Sequence, residues 1–192
     1  MRLTPEPLGL EHRGKRLSQA ERLRPRLVAA LQRGHTGVDL RDERNDDMSF
    51  LRDLYAEVRA PELALVAWSD DQKRIFADSQ FSLQREHYRR HYAGAEFLVI
   101  EQDGVPIGRV YVCALADTIC LMEISLLETQ RGRGIGAALL NELTSAAAEQ
   151  DVTVTLHVEP NNPAQRLYAR HGFKFIERRG VYDFMEWTLA LV

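Results

Sequence analysis

The sequence predicts an α+β domain on a mostly antiparallel sheet, and three stretches carry that expectation. EFLVIEQ and VPIGRVYVCA alternate around Asp103-Gly104, a strong hairpin signal, and Ala116-Asp117 turns the chain into TICLMEISLL. QRGRGIGAALL from Gln130 then sets Gly132, Gly134 and Gly136 between that strand and the helical pattern GAALLNELTSAAAEQ. The β-branched run VTVTLHV follows, so one strand–helix–strand crossover interrupts an antiparallel meander.

The remaining elements fall around this centre. Residues 1–37 read as a basic extension, partly helical or disordered: the first 35 hold eight Lys/Arg against three Asp/Glu. Within them Ser18 and Glu21 form a capping-box pattern, and Pro25 interrupts the helix it would start. The domain proper is expected over 38–192, beginning with the strand VDLRDE and a helix capped by Asn45. Met48, Leu51, Leu54, Tyr55 and Val58 recur there at core-facing spacing, and Pro61 ends it.

A second helix starts after Ser69 and runs to about Tyr92. Gln80, Gln84, His87 and His91 form a polar stripe on it, with Phe76 and Leu83 on one side and Phe81, Tyr88 and Tyr92 on the other. Such a stripe lines a pocket or faces solvent. Past VTVTLHV, Asn162 caps a short helix with Pro163 at its first position, and FKFIER and VYDFMEWTLAL turn at Gly180 to close the sheet.

Composition excludes several classes. A net charge of −3 and pI near 6.1 give no basic field for nucleic acid. Cys113 and Cys120 show no C-x-x-C and no metal-ligand spacing, so no metal site or disulfide framework is expected, and a reduced cytoplasmic setting fits. His87 and His91 stand at i, i+4, but no third ligand accompanies them. The chain has no apolar run near membrane-spanning length.

The glycine loop is a site for a phosphate or diphosphate, because glycines and the first helical turn expose unpaired N–H groups. It is no Walker A loop, since Ala137 and Ala138 stand where Lys-Ser/Thr is needed. Gly132, Gly134 and Ala137, with Asp151 about 20 residues on, meet the dinucleotide fingerprint weakly, yet too little chain remains for a doubly wound sheet. The third reading, R-x-x-G-x-G/A at Arg131, Gly134 and Gly136, resembles the acetyl-CoA loop of the GNAT (GCN5-related) N-acetyltransferases. HVEPNNPAQRLYARHGFKF resembles a second signature of that superfamily at Val158, Pro160, Asn161, Ala164, Leu167, Tyr168, Gly172 and Phe173.

That resemblance implies a sheet splayed open between the strand ending near Leu127 and the strand Val152 to Val158, with acetyl-CoA in the opening and no metal. It implies that the diphosphate meets Arg131, Gly132, Arg133, Gly134, Ile135, Gly136 and Ala137, mostly through backbone N–H groups. Main-chain groups of Leu126 and Leu127 would hold the pantetheine arm and polarise the thioester, and Asn161 would bond the pantetheine. Tyr168 matches the family tyrosine that protonates the departing thiolate. The residues themselves offer Glu123 as the base: period-two alternation puts it on one face with Leu121 and Ser125, towards an acceptor cleft, unless Arg109 on the neighbouring strand engages it. His157 is a weaker alternative. Gln84, His87 and Tyr88 are expected to bind the acceptor, an amine whose polar helix face points to a small polar molecule. A non-catalytic acyl-CoA-binding module on the same fold is the alternative, and a homodimer is compatible with either.

Overall fold

The computed structural model describes residues 17–189, with side chains from residue 23 onward, so the reading of residues 1–16 and the capping pattern at Ser18 lie outside it. Seven strands form one sheet in the order β1-β2-β3-β4-β5-β7-β6: β1 Val38–Asp42, β2 Glu96–Gln102, β3 Val105–Ala114, β4 Thr118–Leu126, β5 Thr153–Val158, β6 Lys174–Arg179 and β7 Tyr182–Trp187. Among the described residues, only β4 and β5 pair in parallel. The β2–β3 hairpin turns as expected, with Asp103 and Gly104 both at positive φ. Cys113 and Cys120 face each other across β3 and β4 as buried cysteines.

Helices cover both faces. On one, α1 (Leu17–Gly34) and α4 (Ile135–Gln150) share the largest core with Val110, Val112, Ile119, Leu121, Val154 and Leu156. On the other lie α2 (Met48–Leu63) and α3 (Asp70–His91), with Tyr88 of α3 packed among Tyr111 and Cys120 of the sheet and Phe81 of α3 packed among Leu51 and Tyr55 of α2. A short α5 (Gln165–Arg170) joins β5 to β6.

Two helices differ from expectation, both at a proline. α1 runs through Pro25 and is no extension: Leu23, Leu27 and Leu31 are buried in the main core, and Arg26 binds Glu142 and Glu149 of α4. An interior proline costs about 3 kcal/mol, and three buried leucines at about 1.5–3 kcal/mol each outweigh it. The packed unit therefore starts within α1, before the boundary drawn at residue 38. α2 likewise continues two residues past Pro61 to Leu63, so the one ladder bond the proline cannot donate is lost close to the helix end.

α3 is fixed at both ends. The Ser69 hydroxyl accepts from Gln72 N while the Gln72 side chain accepts from Ser69 N, a capping box. Near its C-terminus, Arg85 and Arg89 both donate to Glu43 just beyond β1, a carboxylate only 1% exposed that also accepts from the Tyr111 hydroxyl at 2.5 Å. A helix so pinned is a rigid wall. We expect Leu27→Ala to lower unfolding free energy by about 2–5 kcal/mol in urea denaturation, whereas a loosely docked extension would leave the midpoint unchanged.

Candidate acetyl-transfer site

The β4–β5 pairing covers only Thr118↔Thr153 to Leu121↔Leu156, and beyond it both strands continue apart, leaving the gap that the glycine loop overlooks. The gap opens where β4 is irregular. Val112 pairs with Leu121 but Tyr111 with Glu123, so Met122 is an extra residue, a β-bulge. The bulge changes which side chains share a face. Leu121, Ile124 and Leu126 pack against the α1/α4 core, whereas Glu123 meets Gln84 of α3 and bonds Ser125 beside it. The expected face of Leu121, Glu123 and Ser125 is therefore wrong for Leu121, because the extra residue resets the alternation.

On the α2/α3 side lies a cavity of about 510 Å³, walled by Tyr55, Val58 and Arg59 of α2 and by Gln80, Leu83, Gln84, His87 and Tyr88 of α3. Its floor is β4 and β5, with Glu123, Ile124, Ser125 and His157, and Tyr168 and Tyr182 close the far side. Glu123 is held from three directions: Arg109 Nη2 stands 3.4 Å from Oε2, Gln84 Nε2 donates to Oε2 at 3.4 Å, and the Ser125 hydroxyl donates to Oε1. Arg109 is fully buried between the rings of Tyr55, Phe81 and Tyr111, 5.1–5.8 Å from their centroids. Burial opposes its charge, but Glu123 and the tyrosines outweigh burial and keep the guanidinium ionised. Opposite, Arg59 Nη1 donates to Glu159 Oε1 at 2.6 Å and ties α2 to the end of β5. Burial first, and Glu123 second, raise the pKa of Tyr168, so this phenol keeps its proton at neutral pH.

The loop meets the gap from below. Gly134 precedes α4 at φ +90, a backbone that favours glycine, and residues 131–134 are exposed at the helix N-terminus. Leu127 N donates to Ile107 O, so its N–H is spent on β3 and cannot polarise a thioester. Antiparallel alternation turns the main chain of Leu126, and of Ile124 before it, away from β3, and Leu126 O indeed accepts from Arg131 Nε. Arg133 donates to Gln130.

The sequence profile of the acetyltransferase (GNAT) family matches residues 42–173. The chain belongs to this family. GNAT enzymes use acetyl-CoA without a metal, and the exposed glycine loop beside an unpaired strand edge fits that co-substrate. Similar solved folds include a PaiA N-acetyltransferase from Thermoplasma acidophilum in complex with coenzyme A (19% identity, 79% of this chain, 98% of that one, TM-score 0.61). An acetyltransferase from Thermus thermophilus (18%, 81% and 99%, TM-score 0.56) and a GCN5-related N-acetyltransferase from Rhodopseudomonas palustris (18%, 80% and 97%, TM-score 0.55) share it too. No curated protein matches the sequence significantly.

Within this GNAT domain the expected residues sort by what holds them. Glu123, Tyr168, Gln84 and His87 meet in one cavity. Tyr88 lines it too, and its hydroxyl donates to Met122 O at 3.0 Å, satisfying the carbonyl at the bulge. Gln84 is also committed, accepting from Arg109 Nη2 at 3.0 Å while donating to Glu123. Asn162 lines the cavity and Asn161 beside it is exposed, because Asn162 Oδ1 accepts from Ala164 N to start the α5 turn. Asp151, the acid of the dinucleotide reading, is the left-handed C-cap of α4. Sequence reasoning missed Arg59, Tyr182 and Ile124 as lining residues. Arg59 meets Glu159 across 100 residues, a pairing with no local signal.

His157 Nε2 is buried with no partner among the described residues, its ring 5.1 Å from Phe184. Burial, then Arg179, lowers its pKa to about 4. The unfolded chain thus binds the extra proton first, and stability is full above the ordinary histidine value and falls as pH drops towards about 4. We expect denaturant midpoints to decline between pH 7 and pH 5, and His157→Gln to flatten that decline.

Proposed function

We propose that this protein is an N-acetyltransferase that moves the acetyl group of acetyl-CoA to a small polar amine by direct attack in a ternary complex. The observation that carries the reading is one cavity, on the open side of the β4–β5 divergence, that holds both a carboxylate and a proton-bearing phenol. The diphosphate is assigned to residues 131–137, the thioester to the strand edge at Ile124 and Leu126, and the amine to the α3 side.

An alkylammonium, with a pKa of about 10.4, must lose a proton before attack, and the thiolate must gain one on leaving. Glu123 takes the first proton, and Arg109 and Ser125 keep its carboxylate aimed into the cavity. The amine nitrogen forms a bond to the acetyl carbon, the C–S bond breaks, Tyr168 gives its proton to the sulfur, and the second proton leaving the nitrogen restores the phenol. Each positioned acid or base contributes about 10²- to 10⁴-fold. Gln80, Leu83 and His87 are the α3 residues left to contact the acceptor.

The engagement of Glu123 by three neighbours favours a second reading, a CoA-binding module without turnover. Thiol release from acetyl-CoA against a panel of amines, amino acids and peptides, with calorimetric CoA binding alongside, separates the two. Binding with no release from any acceptor supports the module; release names the acceptor class. With that acceptor, Tyr168→Phe is expected to lower kcat by about 10²- to 10⁴-fold with acetyl-CoA affinity unchanged, and wild-type turnover in the variant removes the acid role.

A further inference from the structure

We propose that His35 is a positioning residue for the CoA diphosphate. It stands just past the C-terminus of α1, outside residues 42–173, and reaches across to the glycine loop. Its Nε2 lies 3.0 Å from Arg133 O and its Nδ1 3.3 Å from Leu31 O in the last turn of α1. With the proton on Nε2 the ring donates to the loop carbonyl. The backbone N–H of His35 is itself bonded to Leu31 O at 2.9 Å, so the ring is mounted on a fixed helix end. α1 in turn is locked to α4 by Arg26 on Glu142 and Glu149 and by Arg33 on Glu142, with Leu27 and Leu31 buried beneath.

The consequence follows from peptide geometry. The Arg133–Gly134 peptide is trans and planar, so its C=O and N–H point in opposite directions. Holding Arg133 O on His35 turns the Gly134 N–H away from α1, towards where a diphosphate on this loop would lie. Contact is close: a Cβ on Gly134 would stand 3.2 Å from His35 Nε2, in addition to the strain of φ +90. Glycine at 134 thus serves the histidine as well as the turn. A loop with three glycines would otherwise lose conformational freedom when the ligand arrives, and the imidazole fixes one of its peptides beforehand.

This inference rests on seating the diphosphate at the loop, so the test carries a control for that placement. CoA is titrated calorimetrically into the wild type, His35→Ala, His35→Gln and Gly134→Pro, with melting temperatures measured for each. His35→Ala is expected to bind CoA about 5- to 10-fold more weakly. His35→Gln, whose amide can supply the same donor, is expected to recover most of that loss at a similar melting temperature. Wild-type affinity in His35→Ala, or equal weakening in the Ala and Gln variants, overturns the proposal. If Gly134→Pro alone loses affinity, the loop still seats the diphosphate without help from His35; if Gly134→Pro binds as the wild type does, the seating itself is wrong and the proposal falls with it.

Discussion

Two parallel strands that pair for four residues and then part are the constraint on which the site depends. Below Leu121 and Leu156 the sheet is continuous and its two faces are ordinary cores. Above them β4 has one edge paired to β3 and the other bare, and bare strand edges expose main-chain donors and acceptors that need a partner. A ligand arm lying along the edge can supply it. The Met122 bulge coincides with this divergence and turns Glu123 and Ser125 towards α3. One inserted residue thereby separates a hydrophobic strand segment from a polar one.

The polar segment is stabilised by what surrounds it. Arg109 is buried deeply enough that its charge demands a counter-ion, and Glu123 supplies one at the cavity floor. Under α3 the roles are reversed: the Glu43 carboxylate is the buried charge, and the partly exposed Arg85 and Arg89 are its counter-ions. Arg109 and Glu123 both bond Gln84, and Arg85 and Arg89 bond Glu43, so α3 is tied to the sheet by polar contacts; α1 and α4 combine buried leucines with ion pairs of their own.

Much of this was legible in the chain. Alternation around Asp103-Gly104 gave the hairpin, the glycine loop gave the crossover, and the offsets from Val158 to Phe173 gave the family. The polar stripe of α3 does face a pocket through Gln80, Gln84 and His87. The approach of Arg109 to Glu123 was legible too; what escaped reading was set by packing and pairing that leave no local mark. Local propensity marks prolines 25 and 61 as helix breaks, and it cannot see the buried leucines of α1 or how near Pro61 lies to a helix end. The bulge at Met122 has no glycine or other local mark, so strict alternation misplaced Leu121 relative to Glu123. The partner of the Tyr88 hydroxyl, a carbonyl at that bulge, has no mark in the sequence either.

The pairing of Arg109 with Glu123 also bears on how such an enzyme can change. Neither residue can be replaced alone without leaving a buried charge uncompensated, so the floor resists single substitutions. Gln80, Leu83 and His87 project from a helix whose anchorage lies elsewhere, at Ser69 and Glu43, and replacing them disturbs neither anchor. On the proposed reading, substitutions that change the acceptor are best tolerated on this one helix face, and the Arg109–Glu123 floor resists them.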